Sequence, residues 1–175
     1  MINTKRHVFL GTDHAGVALL KILQQDLIKR GFNTTGFYPS PSQIIEVTND
    51  SLGLVEMPDN VSSNCDYPDM SNALCKAMKR ELDLNGANKP LGVLVCGSGI
   101  GISIAANRYP YIRAALCHSP LMARLSRMHN NSNVLALGAR FCTPFVALEM
   151  LKEFIAADFE FGRHESRVKK LDKDV

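Results

Sequence analysis

The sequence predicts an α/β fold: a Rossmann-like, doubly wound sheet of five parallel strands with helices on both faces. Three observations predict it. Short apolar runs recur at 7–11, 32–37, 91–96, 113–117 and 134–137. Helical apolar spacing follows the runs, in the rhythm of a parallel sheet with crossover helices. Glycines, or capping residues followed by proline, mark the junctions. Chirality makes the crossovers right-handed, and the strand order expected is 2-1-3-4-5, in a single domain over 1–175.

Each element has its own signal. After the first strand, Val17, Leu20, Leu23 and Leu27 mark one helix face, and Gly31 closes that helix. Pro68 suits a helix start, with Met70, Leu74, Ala77 and Met78 turned inward. The buried strand at 91–96 runs through a glycine-rich turn into a helix at 100–107. Ser119 and Pro120 open the next helix as N-cap and N1. Thr143 and Pro144 open the last long one, which should reach about residue 157. One stretch breaks the rhythm. Residues 38–64 carry Pro39, Pro41, Pro58 and many Ser and Asn, a long connection that could be a hairpin, a lid or a mobile loop.

Composition bounds the function. The chain has 175 residues, of which 46% are apolar, and a net charge of +3. That charge suits an anionic small substrate and is too weak to argue for nucleic acid. Lys169, Lys170 and Lys173 read as a solvated tail. No apolar stretch approaches the ~20 residues of a membrane span, and the polar start at 1–6 is not a signal peptide. The five cysteines, at 65, 75, 96, 117 and 142, form no CxxC pair, and the five histidines lack metal-ligand spacing. Reduced thiols in a cytoplasm follow, with no disulfide framework, metal or cofactor expected.

In a doubly wound sheet, ligands bind beyond the carboxyl ends of the strands, which selects the loops at 11–16, 96–101 and 117–120. The strongest motif is Cys96-Gly97-Ser98-Gly99-Ile100-Gly101. A strand ends, glycines make a tight turn, and a helix starts with unpartnered backbone N–H groups. The spacing is GxGxG without a P-loop lysine, which suits a small anion better than a dinucleotide. Cys96 at the mouth of this turn gains thiolate character from the helix start; the competing reading is a small buried residue at a strand end. Asp13 is either a helix cap or, with His14, a ligand for polar substrate groups. His129, beside Asn130, is either a ring favoured by a helix C-terminus or a functional group. Arg140 follows the last strand. Arg163 and Arg167 share a helical face as either a phosphate clamp or a solvated basic surface.

At these residues the sequence resembles one family, the type B ribose-5-phosphate isomerases, which also include galactose-6-phosphate isomerase subunits. The resemblance is carried by GTDHAG at 11–16, DYPD at 66–69, VCGSGIGISIAANR at 95–108, SRMHNNSNVLALGAR at 126–140 and GRHESR at 162–167. It implies that the chain interconverts ribose 5-phosphate and ribulose 5-phosphate through a cis-enediol, in the pentose phosphate pathway. Cys96 would move the proton between C1 and C2. Ser98 and the backbone N–H groups of Gly97, Gly99, Ile100 and Gly101 would hold the enediolate. Asp13 and Tyr67 would contact sugar hydroxyls, and His129, beside Asn130, would open the furanose ring. His14, Arg140, Arg163 and Arg167 would hold the phosphate. Some members take their base from a glutamate in the following helix; here that helix carries Ser103, which points to the cysteine.

The resemblance further implies no metal and a homodimer, or a tetramer built from it. Cys96 of one chain would meet His129, Asn130 and Arg140 of the other. The connection at 38–64 is longer than in typical members and leaves the sugar length open. The alternatives are a six-carbon sugar phosphate such as galactose 6-phosphate, or a phosphate- or nucleotide-binding sensor on the same fold.

Overall fold

A computed structural model describes residues 6–41, 43–49, 65–85 and 89–171. The strands are β1 (His7–Thr12), β2 (Asn33–Pro39), β3 (Ile44–Thr48), β4 (Leu91–Cys96), β5 (Ala114–Leu116) and β6 (Val134–Gly138). The helices are α1 (Val17–Lys29), α2 (Tyr67–Asn85), α3 (Ile100–Ala106), α4 (Pro120–Asn130), α5 (Pro144–Ala156) and α6 (Glu165–Leu171), with short 3-10 turns at His14–Gly16 and Gly162–His164. Five predicted strands and their helices lie where the periodicity put them, with ends shifted by one or two residues.

All six strands form one sheet in the order β3-β2-β1-β4-β6-β5. Two features differ from expectation. First, β3 is a sixth strand, antiparallel to β2, with Thr35 opposite Thr48 and Pro39 opposite Ile44. The start of the long 38–64 connection is therefore a hairpin; residues 50–64, including Pro58, lie outside the described residues. Second, β6 and not β5 pairs with β4, in register from Gly92–Val134 to Cys96–Gly138, and β5 takes the edge. The physical reason is burial. β6 is buried at all five positions, whereas the three residues of β5 are only half-buried, and a strand covered on both faces belongs inside the sheet.

Alternation along the strands divides the core between two faces. Val8, Leu10, Val93 and Val95 meet Leu20, Leu23 and Leu27 of α1 and Leu151 and Phe154 of α5. Phe9, Leu94 and Cys96 point the other way, among Met70, Leu74 and Met78 of α2 and Ile102 of α3. The inward faces predicted for α1 and α2 are both buried.

The hairpin is tied to the sheet by polar groups as well. Gln24 of α1 is buried; its amide donates to Thr34 Oγ1 and to the Val47 carbonyl, each at 3.2 Å, and its carbonyl oxygen accepts from the Tyr38 hydroxyl at 2.7 Å. Asn49 accepts from the Thr34 N–H at 2.9 Å and donates to the Phe32 carbonyl at 2.6 Å. Excising 40–62 would remove β3 and break this network, so the 44–49 part of that connection belongs to the fold; Val47 is buried, and Ile45 packs against the core.

A buried donor or acceptor left unpaired costs about 1–3 kcal/mol. We therefore expect Gln24→Ala, which strands the Tyr38 hydroxyl and the Val47 carbonyl, to lower unfolding stability by about 2–4 kcal/mol. Urea unfolding followed by circular dichroism checks this; a loss below about 0.5 kcal/mol would contradict the role given to the network.

Candidate active site

β1 has a neighbour on each side, β2 and β4, and the chain winds away from it in both directions. The carboxyl ends of β1 and β4 therefore open the crevice in which this class of sheet binds ligands. The loop after β1 brings Asp13, whose Oδ1 accepts from the Ala15 N–H at 2.9 Å, and an exposed His14. Asp13 is a cap, as one of its two readings had it; its other carboxylate oxygen is not used in that bond.

The loop after β4 is the turn itself. Gly99 has φ 77°, a left-handed conformation that a side chain disfavours. That bend directs the Gly99 N–H back to the Cys96 sulfur at 3.1 Å, while the Ile100 N–H reaches Ser98 Oγ at 3.2 Å. Cys96 is buried, with its thiol facing the start of α3. Two neighbours crowd the turn where glycines leave room. A Cβ on Gly101 would lie 2.6 Å from the Tyr67 ring, and one on Gly97 would lie 3.2 Å from Arg140 Cζ. Tyr67 at the start of α2 and Arg140 after β6 thus close over the turn from two sides. Asp13, His14, Tyr67, the 96–101 turn and Arg140 share the carboxyl edge of one chain.

The remaining predicted residues lie at the other end. α4 leaves the carboxyl edge at Pro120 and descends through 11 residues, about 16 Å, to His129 and Asn130 beside the amino ends of the strands. α5 makes the same descent, and the segment after it returns to α4, where the Glu160 N–H donates to the Met128 carbonyl at 3.0 Å. Here the His129 and His164 rings stack, centroids 4.3 Å apart and planes within 4°. Glu160 Oε2 lies 3.6 Å from His129 Nε2 and 3.9 Å from His164 Nε2. Exposed Arg163 and Arg167 flank them.

Burial, with His129, Arg163 and Arg167 adding to it, pushes the His164 imidazole below its ordinary pKa, and Glu160 opposes the shift. The ligand atoms of His129, Glu160 and His164 lie within 4.8 Å of one another. A metal ion held ~2.0 Å from each nitrogen must lie near both ring planes, and two face-stacked rings do not meet that condition. The cluster does not fit a metal as it stands. The amino edge also holds a cleft of about 770 Å³ lined in part by Arg113, Arg127 and Asp158. Arg127 is structural there. Its guanidinium donates to the Ser132 and Ala157 carbonyls and covers the Phe154 ring; burial, with Arg6 and Arg113 nearby, pulls it down to about 10, still protonated at neutral pH.

The family model described as Ribose/Galactose Isomerase matches residues 8–171. The chain belongs to this family. Ribose-5-phosphate isomerase B of Escherichia coli is 32% identical over 95% of this chain and 94% of its own length. Among solved structures, ribose 5-phosphate isomerase B from Anaplasma phagocytophilum is 36% identical, with a TM-score of 0.76 over 96% of this chain and 97% of that one. The Mycoplasma genitalium ribose-5-phosphate isomerase B with bound ribulose-5-phosphate is 31% identical, with a TM-score of 0.78 over 97% of this chain and 96% of that one.

Within this family frame, one expectation is corrected. Arg140, expected to reach Cys96 from a second chain, lies beside the Cys96 turn of its own chain, because β6 adjoins β4 and the Arg140 N–H donates to the Gly97 carbonyl at 3.1 Å. His129 and Asn130 stand apart from Cys96 within one chain, and Arg163 and Arg167 accompany them. Sequence reasoning gave no role to Glu160 or His164. Their four-residue spacing was visible, but the approach of both to His129 depends on how α5 returns to α4.

The cysteines separate by environment. Burial pushes the thiols of Cys75 and Cys117 up to about 11. At pH 8 such a thiol is ionised to about one part in a thousand. Iodoacetamide at pH 8 should leave Cys75 and Cys117 unmodified in the folded protein and label both in denaturant, as read by peptide mass mapping. Rapid labelling of either in the native protein would contradict the packing around them.

Proposed function

We propose that the chain interconverts ribose 5-phosphate and ribulose 5-phosphate, with Cys96 as the base. The observation that carries this reading is the 96–101 turn, where one thiol sits among backbone donors with Arg140 and Tyr67 over it. The likeness to a relative that holds ribulose-5-phosphate supports it. Ionised Cys96 takes the proton from C2 of the open-chain aldose. The electron pair moves into C1=C2, and charge develops on the carbonyl oxygen, where fixed donors are worth most. Ser98 and the N–H groups of the turn hold that oxygen. The proton on sulfur then goes to C1, the hydroxyl proton at O2 moves to O1, and the ketose results. Asp13 and Tyr67 hold the sugar hydroxyls, and His14 and Arg140 hold the phosphate. This chemistry needs no metal.

Ring opening and the rest of the phosphate clamp come from a second copy. His129 of the partner subunit protonates the ring oxygen as C1–O4 breaks, the anomeric hydroxyl releases its proton to water as C1=O forms, and Asn130 of the partner subunit stands beside it. Arg163 of the partner subunit and Arg167 of the partner subunit complete the clamp. A homodimer is supported by Ile100, Ile104, Leu121, Phe141 and Phe145, all more than half exposed at or near helix starts on the carboxyl edge. So much exposed apolar surface around one edge suits a subunit interface. The chain works as one domain, in the cytoplasm and the pentose phosphate pathway. Among the described residues no helix is long and apolar enough to cross a membrane.

Cys96→Ser should lower kcat by about 10²–10⁴-fold, the value of a general base, with substrate binding retained. A coupled assay over ribose 5-phosphate and galactose 6-phosphate measures it and should favour the pentose; near-normal turnover by Cys96→Ser would remove the thiol from the mechanism.

Subunit mixing tests the shared site. Re-associated Cys96→Ala and His129→Ala chains should form mixed dimers with one intact site and recover toward half the normal activity. Cys96→Ala with Arg140→Ala should recover nothing, because both residues serve the same half-site. The reverse pattern, after verified exchange, would contradict this assignment.

A further inference from the structure

The pair of stacked histidines calls for an explanation that ring opening by His129 alone does not give. His164 is buried, and its Nε2 accepts from Arg163 Nε at 3.4 Å, so its proton resides on Nδ1 and the ring is neutral. Among the described residues, four charged or titratable groups act on it: His129 from α4, Glu160 before the turn, and Arg163 and Arg167 on its own segment. Three of these oppose a second positive charge, and only Glu160 favours one. Two imidazolium rings stacked face to face would repel each other, so the stack tolerates one cation at most. The backbone also delivers both partners to His129. Between Glu160 and His164 it passes through Phe161 at φ 58°, a conformation that an aromatic side chain adopts only where the surroundings impose it.

We propose that Glu160 and His164 are positioning residues for His129: His164 is the neutral face that fixes the ring, and Glu160 is the carboxylate that holds its protonated form. The inference rests on His129 acting in ring opening. It assigns the acid role to His129, the more exposed ring of the pair (34% against 9%) and the nearer to Glu160. Glu160 Oε2 lies on the Nε2 side of His129, which leaves Nδ1 as the nitrogen that gives a proton to the sugar ring oxygen. His164 takes no part in proton transfer.

The test separates ring opening from proton abstraction. Single-turnover conversion of ribose 5-phosphate requires both. Exchange of the C1 proton of ribulose 5-phosphate with D2O, followed by NMR, requires only abstraction, because that ketose is already open. Glu160→Gln and His164→Ala should slow conversion at saturating substrate by about tenfold and change exchange by less than about twofold, part of what an acid catalyst contributes. His164→Phe, a flat ring that takes no proton, should restore most of the conversion lost in His164→Ala. Glu160 is half exposed, so Glu160→Gln tests the idea even if His164→Ala unfolds.

Equal losses in both readouts would mean a merely structural role and overturn the proposal, as would no loss in either. A His164→Phe protein as slow as His129→Ala would make His164 itself the acid. The His129→Ala control distinguishes the two levels. If it loses conversion selectively while Glu160→Gln and His164→Ala do not, positioning alone is wrong. If it shows no selective loss, the ring-opening assignment falls and takes the positioning with it.

Discussion

The contact on which the site depends is the continuation of the β4–β6 pairing past the ends of the strands. The Ala139 N–H donates to the Cys96 carbonyl at 2.9 Å, and the Arg140 N–H donates to the Gly97 carbonyl at 3.1 Å. Gly138 lies so close to the Ser98 carbonyl that a Cβ there would stand 2.5 Å from its oxygen. The ladder thus anchors the glycine turn from beneath, and within the turn the Gly99 N–H meets the Cys96 sulfur and the Ile100 N–H meets Ser98 Oγ. Donors fixed in this way need little reorganisation as charge develops, and such preorganisation is often the largest contribution to catalysis. The same ladder sets the guanidinium of Arg140 over the turn.

A second constraint follows from the polarity of the fold. Every crossover helix of a parallel sheet runs antiparallel to its strands, so residues at helix ends and residues at strand ends face opposite edges. Cys96 ends a strand, and His129 nearly ends a helix. One chain presents a thiol with donors at one edge and an imidazole with two arginines at the other. In the proposed dimer, two copies placed with opposite edges in contact would bring both halves onto one sugar, and a twofold arrangement would make two such sites at once. Bringing reactants and catalytic groups together in this manner is a large source of rate, and the proposed dimer would couple it to assembly.

Much of this was legible in the sequence because the signals are local. The 3.6-residue spacing of Val17, Leu20, Leu23 and Leu27, the Ser119-Pro120 and Thr143-Pro144 starts, and the glycines at 97, 99 and 101 each act within one element. Strand order is not local. Placing β5 beside β4 would have set Arg140 two strands, about 10 Å, from the cysteine; the half-buried 114–116 run against the fully buried 134–138 run was the available clue. β3 was obscured because Ile44 to Thr48 sits among prolines and serines, and its partner strand supplies the pairing. Glu160 and His164 escaped for the same reason as strand order: their meeting with His129 arises from the return of the chain after α5, over about thirty residues of separation in sequence.

A crystal structure of the assembled protein with ribulose 5-phosphate bound would test the account most directly. It predicts the C1 and C2 carbons within about 3.5 Å of Cys96 Sγ, a near-attack distance, and His129 of the partner subunit in the same site, on the side of O4, the oxygen that closes the ring in ribose 5-phosphate. A sugar phosphate held wholly by one chain, with no His129 from either subunit within hydrogen-bonding reach of it, would contradict the account.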